Sequence, residues 1–494
     1  MDARKASTTS ILTLIYFASN PLFSMSDSNT SPAPAPKKKP KTPPLSKEWK
    51  TPPEPEPGEP ATGGDSAPSH ETLDAFFDPD SGNYYRRNDS GEYQKAAIGS
   101  IGRYLKKLGF SSKTAEGHAL SPKDRAIEHI ETHCTVDYAG SLAGYSVGLR
   151  EIHGRKILVT DSPRHIAPKA GSWETLRAVF EGLLGAEQCG HFYAWLKVAI
   201  EALRAERLRP GQALVMAGPP RCGKSLCQAL ITELLGGREA KPYAAMTGRT
   251  DFNSELFGAE HLTIEDEAAS PDPRVRKTFG HEIKKVTVNR AQRAHKKNRE
   301  AFTLFPLWRL SITLNDDAGS LQVLPQFEDG IKDKVSLLKA KAFTMPVDTS
   351  QPAGEELLWK ILTAELPAFV HYLLNAFTIP EEWKEDRCGV RAYHHPDILE
   401  LIDATSDEHK LLELIDGFDL WGTIAAEPWE GRAAELEEKL IERYGVTARR
   451  LLSFNSACGQ YLGLLKAKTD RVTSRILNGN TLWRITPPPS ESRS

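Results

Sequence analysis

The stretch "ALVMAGPPRCGKSLCQALITELLGG", residues 213–237, decides the expected fold. Its apolar start (213–217) predicts a buried strand, the glycine- and proline-rich part predicts a loop, and residues 224–235 predict an amphipathic helix that ends at Gly236. The loop has the spacing Gly-x-x-x-x-Gly-Lys-Ser. Strand, loop and helix in this order are the context in which that spacing forms a phosphate-binding loop.

The chemistry of such a loop assigns roles to individual residues. Gly218 and Gly223 allow backbone N–H groups to turn inward, and the following helix adds its partial positive charge. We expect Lys224 to be a solvated side chain that reaches the β- and γ-phosphates, and Ser225 to bind Mg²⁺. The candidate nucleotide-binding residues are Gly218, Pro219, Pro220, Arg221, Cys222, Gly223, Lys224 and Ser225.

Polar residues follow two further predicted strands. Glu265, Asp266 and Glu267 come directly after "HLTI", and Asn315 comes after "RLSITL". One acid is expected to hold Mg²⁺, with Asp266 the main candidate, and another to polarise the attacking water. Asn315 is expected to orient that water. The alternatives are an ordinary exposed strand end for the acids and a turn-forming cap for Asn315.

A basic segment lies between these two groups. Residues 276–299 contain nine Lys or Arg and one Glu, whereas a solvated helix face normally mixes charges of both signs. The imbalance favours contact with a phosphate backbone. Arg293, His295, Lys296 and Lys297 are the candidate contacts, the last three in a loop between two strands. Phe279 and Phe302 are the nearby aromatics, as candidates for base stacking or for the core.

Composition sets the cellular context. The formal net charge of −2 provides no global attraction for nucleic acid, so a polyanion must be bound locally. The six cysteines are scattered without zinc spacing, which favours a reducing, cytoplasmic environment. The apolar run at 11–18 is too short for a membrane span, and residues 1–24 are interpreted as an upstream extension before Met25 rather than a signal peptide. No membrane partner is expected.

The sequence predicts an α/β fold with a largely parallel sheet, flanked by accessory parts. Predicted strands include 261–266, 285–288 and 309–315. The C-terminal order of helices followed by a hairpin at Asn478-Gly479 is typical of a winged helix. The expected domains are a proline-rich disordered tail (1–70), a mixed α/β accessory domain (71–205), the nucleotide-binding domain (206–350), a helical region (351–425) and a winged-helix-like domain (426–494).

The C-terminal unit also carries cations that could contact duplex phosphate. They are Lys466, Lys468, Arg471, Arg475 and Arg484. The alternative for this unit is a small packing domain that closes over the nucleotide-binding domain.

The order "GPPRCGKS", "TIEDE", "VNRAQRAHKKNREAFTLFP" and "WRLSITLNDD" resembles the helicase domain of superfamily-three enzymes, and is most similar to primase-helicase proteins of phages and integrated elements. The resemblance covers roughly residues 206–345. It implies an AAA+ P-loop ATPase core, ATP and Mg²⁺ as cofactors, and a homo-oligomeric ring, usually a hexamer, around DNA. It also implies that His295, Lys296 and Lys297 form the tip of a channel hairpin that grips single-stranded DNA at a fork.

Two features depart from the family pattern. Where a trans-acting arginine is expected downstream of Asn315, this sequence has Lys332 and Lys334, and a lysine is a point charge rather than a planar fork. The N-terminal region lacks recognisable primase residues. The implied function is an ATP-dependent DNA helicase. The alternatives are an ATP-dependent loader or remodeller that does not thread DNA, and a non-enzymatic DNA-binding switch.

Overall fold

The computed structural model describes residues 73–268, 270, 273–297, 300–325, 327, 329–418 and 427–488. The predicted tail, residues 1–70, lies outside these residues. Over the described part, the chain is mixed α/β with a central parallel sheet and surrounding helices, as the sequence predicts.

The N-terminal part consists of two small sheets and two helices. Ser121 caps the second helix, because its hydroxyl accepts the N–H of Asp124. In the first sheet β2 lies between β1 and β3, and in the second β6 lies between β4 and β5. The elements are β1 (Ala75–Asp78), β2 (Asn83–Arg87), β3 (Tyr93–Ala96), α1 (Ile98–Lys107), α2 (Pro122–His133), β4 (Tyr138–Gly140), β5 (Gly148–Ile152) and β6 (Arg155–Val159).

A long helix, α3 (Glu174–Arg204), closes the predicted accessory region. Gly185 interrupts it with a φ of 77°. Only glycine adopts this conformation readily, so the helix has a kink at this residue. Phe180 and Phe192, on either side of the kink, are fully buried.

The central sheet has five parallel strands in the order β13-β7-β12-β9-β8. The predicted strands at 213–217, 261–266 and 309–315 are confirmed, and β8 and β13 were not predicted. The elements are β7 (Ala213–Ala217), α4 (Lys224–Leu235), β8 (Glu239–Ala240), α5 (Tyr243–Met246), β9 (His261–Glu265), α6 (Pro273–Val288), β10 (Gln292–Ala294), β11 (Phe302–Leu304), β12 (Arg309–Leu314), α7 (Ala318–Leu321), α8 (Asp329–Lys332) and β13 (Val335–Lys339).

Successive residues of β7 point into two different cores, because side chains alternate across a strand. Leu214 and Met216 pack with α3 and α4, whereas Val215 packs with α6. All residues of β7 and β12 are buried. Helices therefore cover both faces of the sheet, as a parallel sheet requires.

The predicted strand at 285–288 is wrong, because these residues form the last turn of α6. Phe279, Ile283 and Thr287 recur every four residues on the buried side of this helix. The Thr287 hydroxyl also donates to the Ile283 carbonyl oxygen at 2.7 Å, within the helix. Packing on the sheet therefore overrides the strand preference of a short β-branched run.

The C-terminal part is helical and ends in a hairpin. The predicted hairpin is confirmed, with Asn478 and Gly479 at φ of 50° and 77° in its turn. β18 lies between β16 and β17. The elements are α9 (Pro352–Asn375), β14 (Lys384–Glu385), β15 (Gly389–Val390), α10 (Pro396–Ala404), α11 (Asp407–Asp416), β16 (Trp429–Gly431), α12 (Ala433–Tyr444), α13 (Val446–Leu451), α14 (Ala457–Lys468), β17 (Val472–Leu477) and β18 (Asn480–Ile485).

One helix in the described part of the chain, α9, is long and apolar enough to cross a membrane by length and composition. Leu362, Leu366 and Phe369 of α9 are buried in the same core as residues of α3 and α4. The apolar character of α9 is therefore explained by its packing in the core.

A buried polar chain joins α4 to two strands of the sheet. The side-chain amide of Gln228 donates to Ser311 Oγ at 2.6 Å. The ring nitrogens of His261 lie 2.7 Å from the hydroxyl oxygens of Thr232 and Ser311. Burial lowers the pKa of His261 to about 3, so the imidazole is neutral at physiological pH.

The neutral His261 makes stability depend on pH. Its pKa is about 3 in the folded protein and 6.5 as the ordinary value, so the unfolded chain binds an extra proton between these values. The neutral His261 therefore contributes fully to the free energy of unfolding above the ordinary pKa, and this contribution is lost as the pH falls toward 3. Between pH 7 and pH 5 we expect a loss of about 2 kcal/mol from this residue.

Thermal unfolding across this pH range measures the effect. His261→Gln, which cannot be protonated, should show a flatter decrease in stability than the wild-type protein. Parallel pH profiles for the two proteins would contradict the buried neutral imidazole.

Candidate functional site

Two glycines shape the loop between β7 and α4. Gly223 has a φ of 103°, in the left-handed region that favours glycine. At Gly218, a Cβ atom would lie 2.3 Å from the carbonyl oxygen of Ala340, which leaves no room for a side chain. The loop therefore passes close to the chain that follows β13, and it leads directly into the N-terminus of α4, where free N–H groups attract anions.

Lys224 lies inside this loop rather than in solvent. The residue is 6% exposed, and its ammonium donates to the carbonyl oxygens of Gly218 and Pro219 at 2.8 Å each. The expectation of a solvated lysine is therefore wrong. The carbonyl oxygens compensate the desolvation of the ammonium, and phosphate oxygens are the same kind of acceptor with more negative charge.

Asn315 lies beside Lys224. Its Oδ1 accepts a hydrogen bond from Lys224 Nζ at 3.3 Å, although the two residues are far apart in sequence. The pairing of β12 with β7 explains the contact, because Leu314 is opposite Ala217 and both strands end at this point. The structure thus brings together two of the residues predicted from separate motifs.

The three predicted acids follow β9, the other neighbour of β12. Glu265 is opposite Thr313, so the acids lie at the same edge of the sheet as Asn315. Glu265 forms an ion pair with Lys241 at 3.5 Å. Asp266 is exposed and has a φ of 42°, in the left-handed region that Asp adopts more readily than most residues with a side chain.

Two residues near this edge carry oxygen atoms of the kind that Mg²⁺ binds. Ser225, in the first turn of α4, offers a hydroxyl oxygen, and Asp266 offers a carboxylate oxygen. Over the residues that the structure describes, no three His, Cys, Asp or Glu side chains are grouped to hold a metal by themselves. Mg²⁺ typically takes one or two protein ligands and completes its shell with water and phosphate.

Lys332 and Lys334 lie at the opposite edge of the sheet, where β7 and β13 begin. The carbonyl oxygen of Lys334 accepts the N–H of Ala213, the first residue of β7, at 2.9 Å. The length of β7 therefore separates these lysines from the loop by roughly 15 Å. Lys334 also forms an ion pair with Asp333 at 2.6 Å. Neither lysine can contact a phosphate held at Lys224 of the same chain.

Four arginines that sequence reasoning missed lie at this opposite edge. They line a cleft of about 370 Å³ and come from three separate segments of the chain: Arg207, Arg209, Arg290 and Arg387. Arg387 also lies 3.6 Å from Asp333. No local pattern could have identified the group, because the arginines converge only when β7, α6 and the β14–β15 turn are packed together.

The basic segment contains a hairpin. β10 and β11 pair antiparallel, with Ala294 opposite Phe302, and His295, Lys296 and Lys297 follow at the tip. Both lysines and Arg293 are exposed. The predicted loop between two strands is therefore present, although its strands are β10 and β11 rather than 285–288.

Asn253 braces the hairpin on the side of β10. Its Oδ1 accepts the N–H of His295 at 2.7 Å, and its Nδ2 donates to the carbonyl oxygen of Arg293 at 3.0 Å. Its own N–H donates to the carbonyl oxygen of His295 at 3.2 Å. The adjacent Phe252 is 50% exposed, so an aromatic ring is available beside the basic tip. Because Phe252 and Asn253 lie far from the hairpin in sequence, no local motif identifies them.

The two aromatics suggested by the sequence are not available for stacking. Phe279 is 1% exposed and belongs to the core. The ring of Phe302 stacks against Tyr138 with a centroid distance of 5.8 Å, and the guanidinium of Arg155 lies 4.4 Å from the Phe302 centroid. Both aromatics therefore have structural partners.

Ion pairs within the chain engage most of the C-terminal cations that were predicted to contact duplex phosphate. Each pair joins a cation near the hairpin to an acid of a neighbouring element. The pairs are Arg471 with Asp416, Lys468 with Asp403 and Glu408, and Arg475 and Arg484 with Glu430. The net positive charge around the β17–β18 hairpin is therefore lower than the number of its cations suggests.

No protein-family model matches the chain, and no curated protein does. The apo structure of the NrS-1 C terminal region is similar over 84% of this chain and 96% of that chain, with a TM-score of 0.50 and 14% identity. A structure of SCCmec type IV Cch, described as an active helicase, has a TM-score of 0.29 and 11% identity over 80% of this chain and 72% of that one. The X-ray structure of JCV helicase has a TM-score of 0.22 and 14% identity over 48% and 66%. The likeness to the NrS-1 region shows a shared fold.

The brace on the hairpin can be tested by proteolysis. Asn253→Ala removes two side-chain hydrogen bonds from β10, so we expect the hairpin to open more often. Trypsin should cleave after Arg293, Lys296 and Lys297 about fivefold faster or more. Mass spectrometry of timed digests gives the rates, with Asn375→Ala on α9 as the control. Equal rates in the wild-type protein and both variants would contradict the brace.

Proposed function

We propose that this protein is an ATP-dependent DNA helicase with an AAA+ phosphate-loop core of the superfamily-three type. The observation that carries the proposal is the 3.3 Å hydrogen bond from Lys224 to Asn315, made beside the acids that follow β9. All three groups come from the carboxyl ends of adjacent parallel strands, where ligands of open α/β sheets bind. A cation, an amide and carboxylates at a glycine-rich loop are the groups that phosphoryl transfer to water needs.

The proposed roles in ATP hydrolysis follow from the contacts. The loop N–H groups of residues 218–225 cradle the phosphates, and Lys224 exchanges its carbonyl partners for phosphate oxygens. Ser225 and Asp266 hold Mg²⁺, which when bound neutralises charge on the phosphate oxygens. Because Glu265 is paired with Lys241, Glu267 is the better candidate to polarise the attacking water, which Asn315 orients.

The opposite edge of the sheet supports a proposal about assembly. A ring of identical subunits, hexameric in the resembled family, brings this edge of one subunit to the nucleotide site of the next. Lys332 and Lys334 are the proposed trans-acting cations from the sequence. Arg209 and Arg387 share this edge and offer the planar donor fork that the lysines lack.

The β10–β11 hairpin is the proposed contact with single-stranded DNA at a fork. Arg293, His295, Lys296 and Lys297 supply positive charge to the backbone, and Phe252 offers a face for base stacking. The hairpin lies in the chain between the acids after β9 and Asn315 after β12. Residues of α6, β9, β11 and β12 also pack in one core, which connects the strands of the nucleotide site to the hairpin.

The alternative function is an ATP-dependent loader or remodeller that binds duplex DNA through the C-terminal winged helix. That role depends on free cations around the β17–β18 hairpin. Arg471, Arg475 and Arg484 are instead ion-paired within the chain. This observation counts against the alternative.

The hydrolysis proposal is tested with Lys224→Met, which keeps the apolar stem and removes the charge. We expect ATP turnover to fall by about a hundredfold or more, since the lysine acts on the transferred phosphoryl group. Phosphate release measures turnover, and thermal unfolding checks the fold because Lys224 is buried. The control is Lys439→Met, on the exposed face of α12. Wild-type turnover in Lys224→Met would exclude the phosphate-loop mechanism.

The coupling of ATP to DNA is tested with the double variant Lys296→Ala/Lys297→Ala. Basal hydrolysis should stay near the wild-type rate, because neither lysine belongs to the proposed nucleotide site. Stimulation by single strands and unwinding of forks should be lost. The log–log salt dependence of single-strand binding should decrease by about 0.7 for each phosphate contact removed.

The matched control is Lys106→Ala/Lys107→Ala, an exposed lysine pair at the end of α1. This control should unwind forks at the wild-type rate. If the Lys296/Lys297 variant also unwinds at that rate, the hairpin does not translocate DNA.

A further inference from the structure

The turn between β5 and β6 of the N-terminal part touches the segment that contains the basic hairpin. The ring of His153 stacks on the ring of Phe305, just after β11, with a centroid distance of 4.0 Å. The guanidinium of Arg155 lies 4.4 Å from the centroid of Phe302, on β11. The β5–β6 hairpin is thus joined to the β10–β11 hairpin by two contacts with aromatic rings, those of Phe305 and Phe302.

This contact places Arg155 next to the proposed DNA-binding tip. Phe302 is opposite Ala294 in the β10–β11 register, and His295 is the next residue toward the tip. Arg155 therefore contacts the residue of β11 that is paired with the last residue of β10 before the tip, although it is far from the tip in sequence.

The geometry leaves the guanidinium free to bind an anion. A guanidinium that lies over an aromatic face keeps its N–H donors around its edge, and these donors match the two oxygens of a phosphate. Arg155 is exposed, and its partner across the β5–β6 ladder is the apolar Ile152. The ring fixes the position of the charge without neutralising it.

The neighbouring charges favour Arg155 over the adjacent Lys156. Lys156 is opposite Glu151 in the ladder, and its N–H donates to Asp137 Oδ2 at 2.7 Å. Glu300, an exposed acid between the basic tip and β11, has no ion pair with Arg155 in the described part of the chain. Lys156 therefore has acids on its own sheet, whereas Arg155 points toward the other hairpin.

We propose that a single strand bound at the β10–β11 tip continues onto the N-terminal part of the protein, where Arg155 binds a backbone phosphate. This inference rests on the proposed function, since it extends the DNA path of the same hairpin. It assigns the N-terminal part a direct role in nucleic-acid binding, through a residue that lies outside every motif in the sequence.

A purely structural role for Arg155 makes a different prediction. If Arg155 only supports Phe302, its removal loosens the hairpin and weakens binding, but the number of phosphates neutralised stays the same. The salt dependence of binding distinguishes the two, since its slope counts phosphate contacts.

The experiment measures binding of a fluorescent oligothymidine strand by anisotropy at several salt concentrations. For Arg155→Ala we expect the log–log slope to fall by about 0.7, with about fourfold weaker binding at 0.15 M salt. Arg155→Lys should retain the slope, because it retains the charge. Arg125→Ala, an exposed arginine of α2, is the control and should match the wild-type protein.

The outcomes separate this inference from the proposed function. If Lys296→Ala/Lys297→Ala lowers the slope but Arg155→Ala does not, the tip binds DNA and the inference about Arg155 is overturned. If the wild-type protein shows no salt-dependent binding of single strands, the proposed function and the inference fail together.

Discussion

The pairing of β12 between β7 and β9 is the constraint on which the site depends. Leu314 is opposite Ala217 and Thr313 is opposite Glu265, so three strand ends meet at one edge of the sheet. This register brings the glycine-rich loop, Asn315 and the acids to the same edge. A one-residue slip of β12 would turn its buried side chains to the other face and separate these groups.

The same strands position the hairpin. Between the end of β9 and the start of β12 the chain forms α6 and the β10–β11 hairpin. Phe279 and Ile283 of α6 share one core with Leu304 at the end of β11 and with residues of β9 and β12. Asn253 braces one side of the hairpin, and the β5–β6 turn contacts the other. The strand ends and the hairpin are therefore linked through close-packed contacts, which transmit displacement because interiors compress little.

A buried ionic group attaches the N-terminal part to this core. Glu260, which is fully buried, accepts from the guanidinium of Arg238 and from the backbone N–H of Gly144 at 2.6 Å. Asp161, after β6, pairs with the same arginine at 2.6 Å. Breaking a buried pair is costly because it leaves an uncompensated charge, so the N-terminal part and the sheet hold a defined relative position. Arg155, on β6, is then in a fixed position relative to the hairpin.

The sequence by itself determined the glycine-rich loop before α4, three of the five parallel strands, the C-terminal hairpin and the basic segment, because each depends on spacing within a few residues. Tertiary structure decided the rest. It made 285–288 helical, buried Lys224, gathered the arginines around Arg209, and paired cations such as Arg471 with acids. These outcomes depend on contacts between residues distant in sequence, whereas local periodicity reports only which side of an element is apolar.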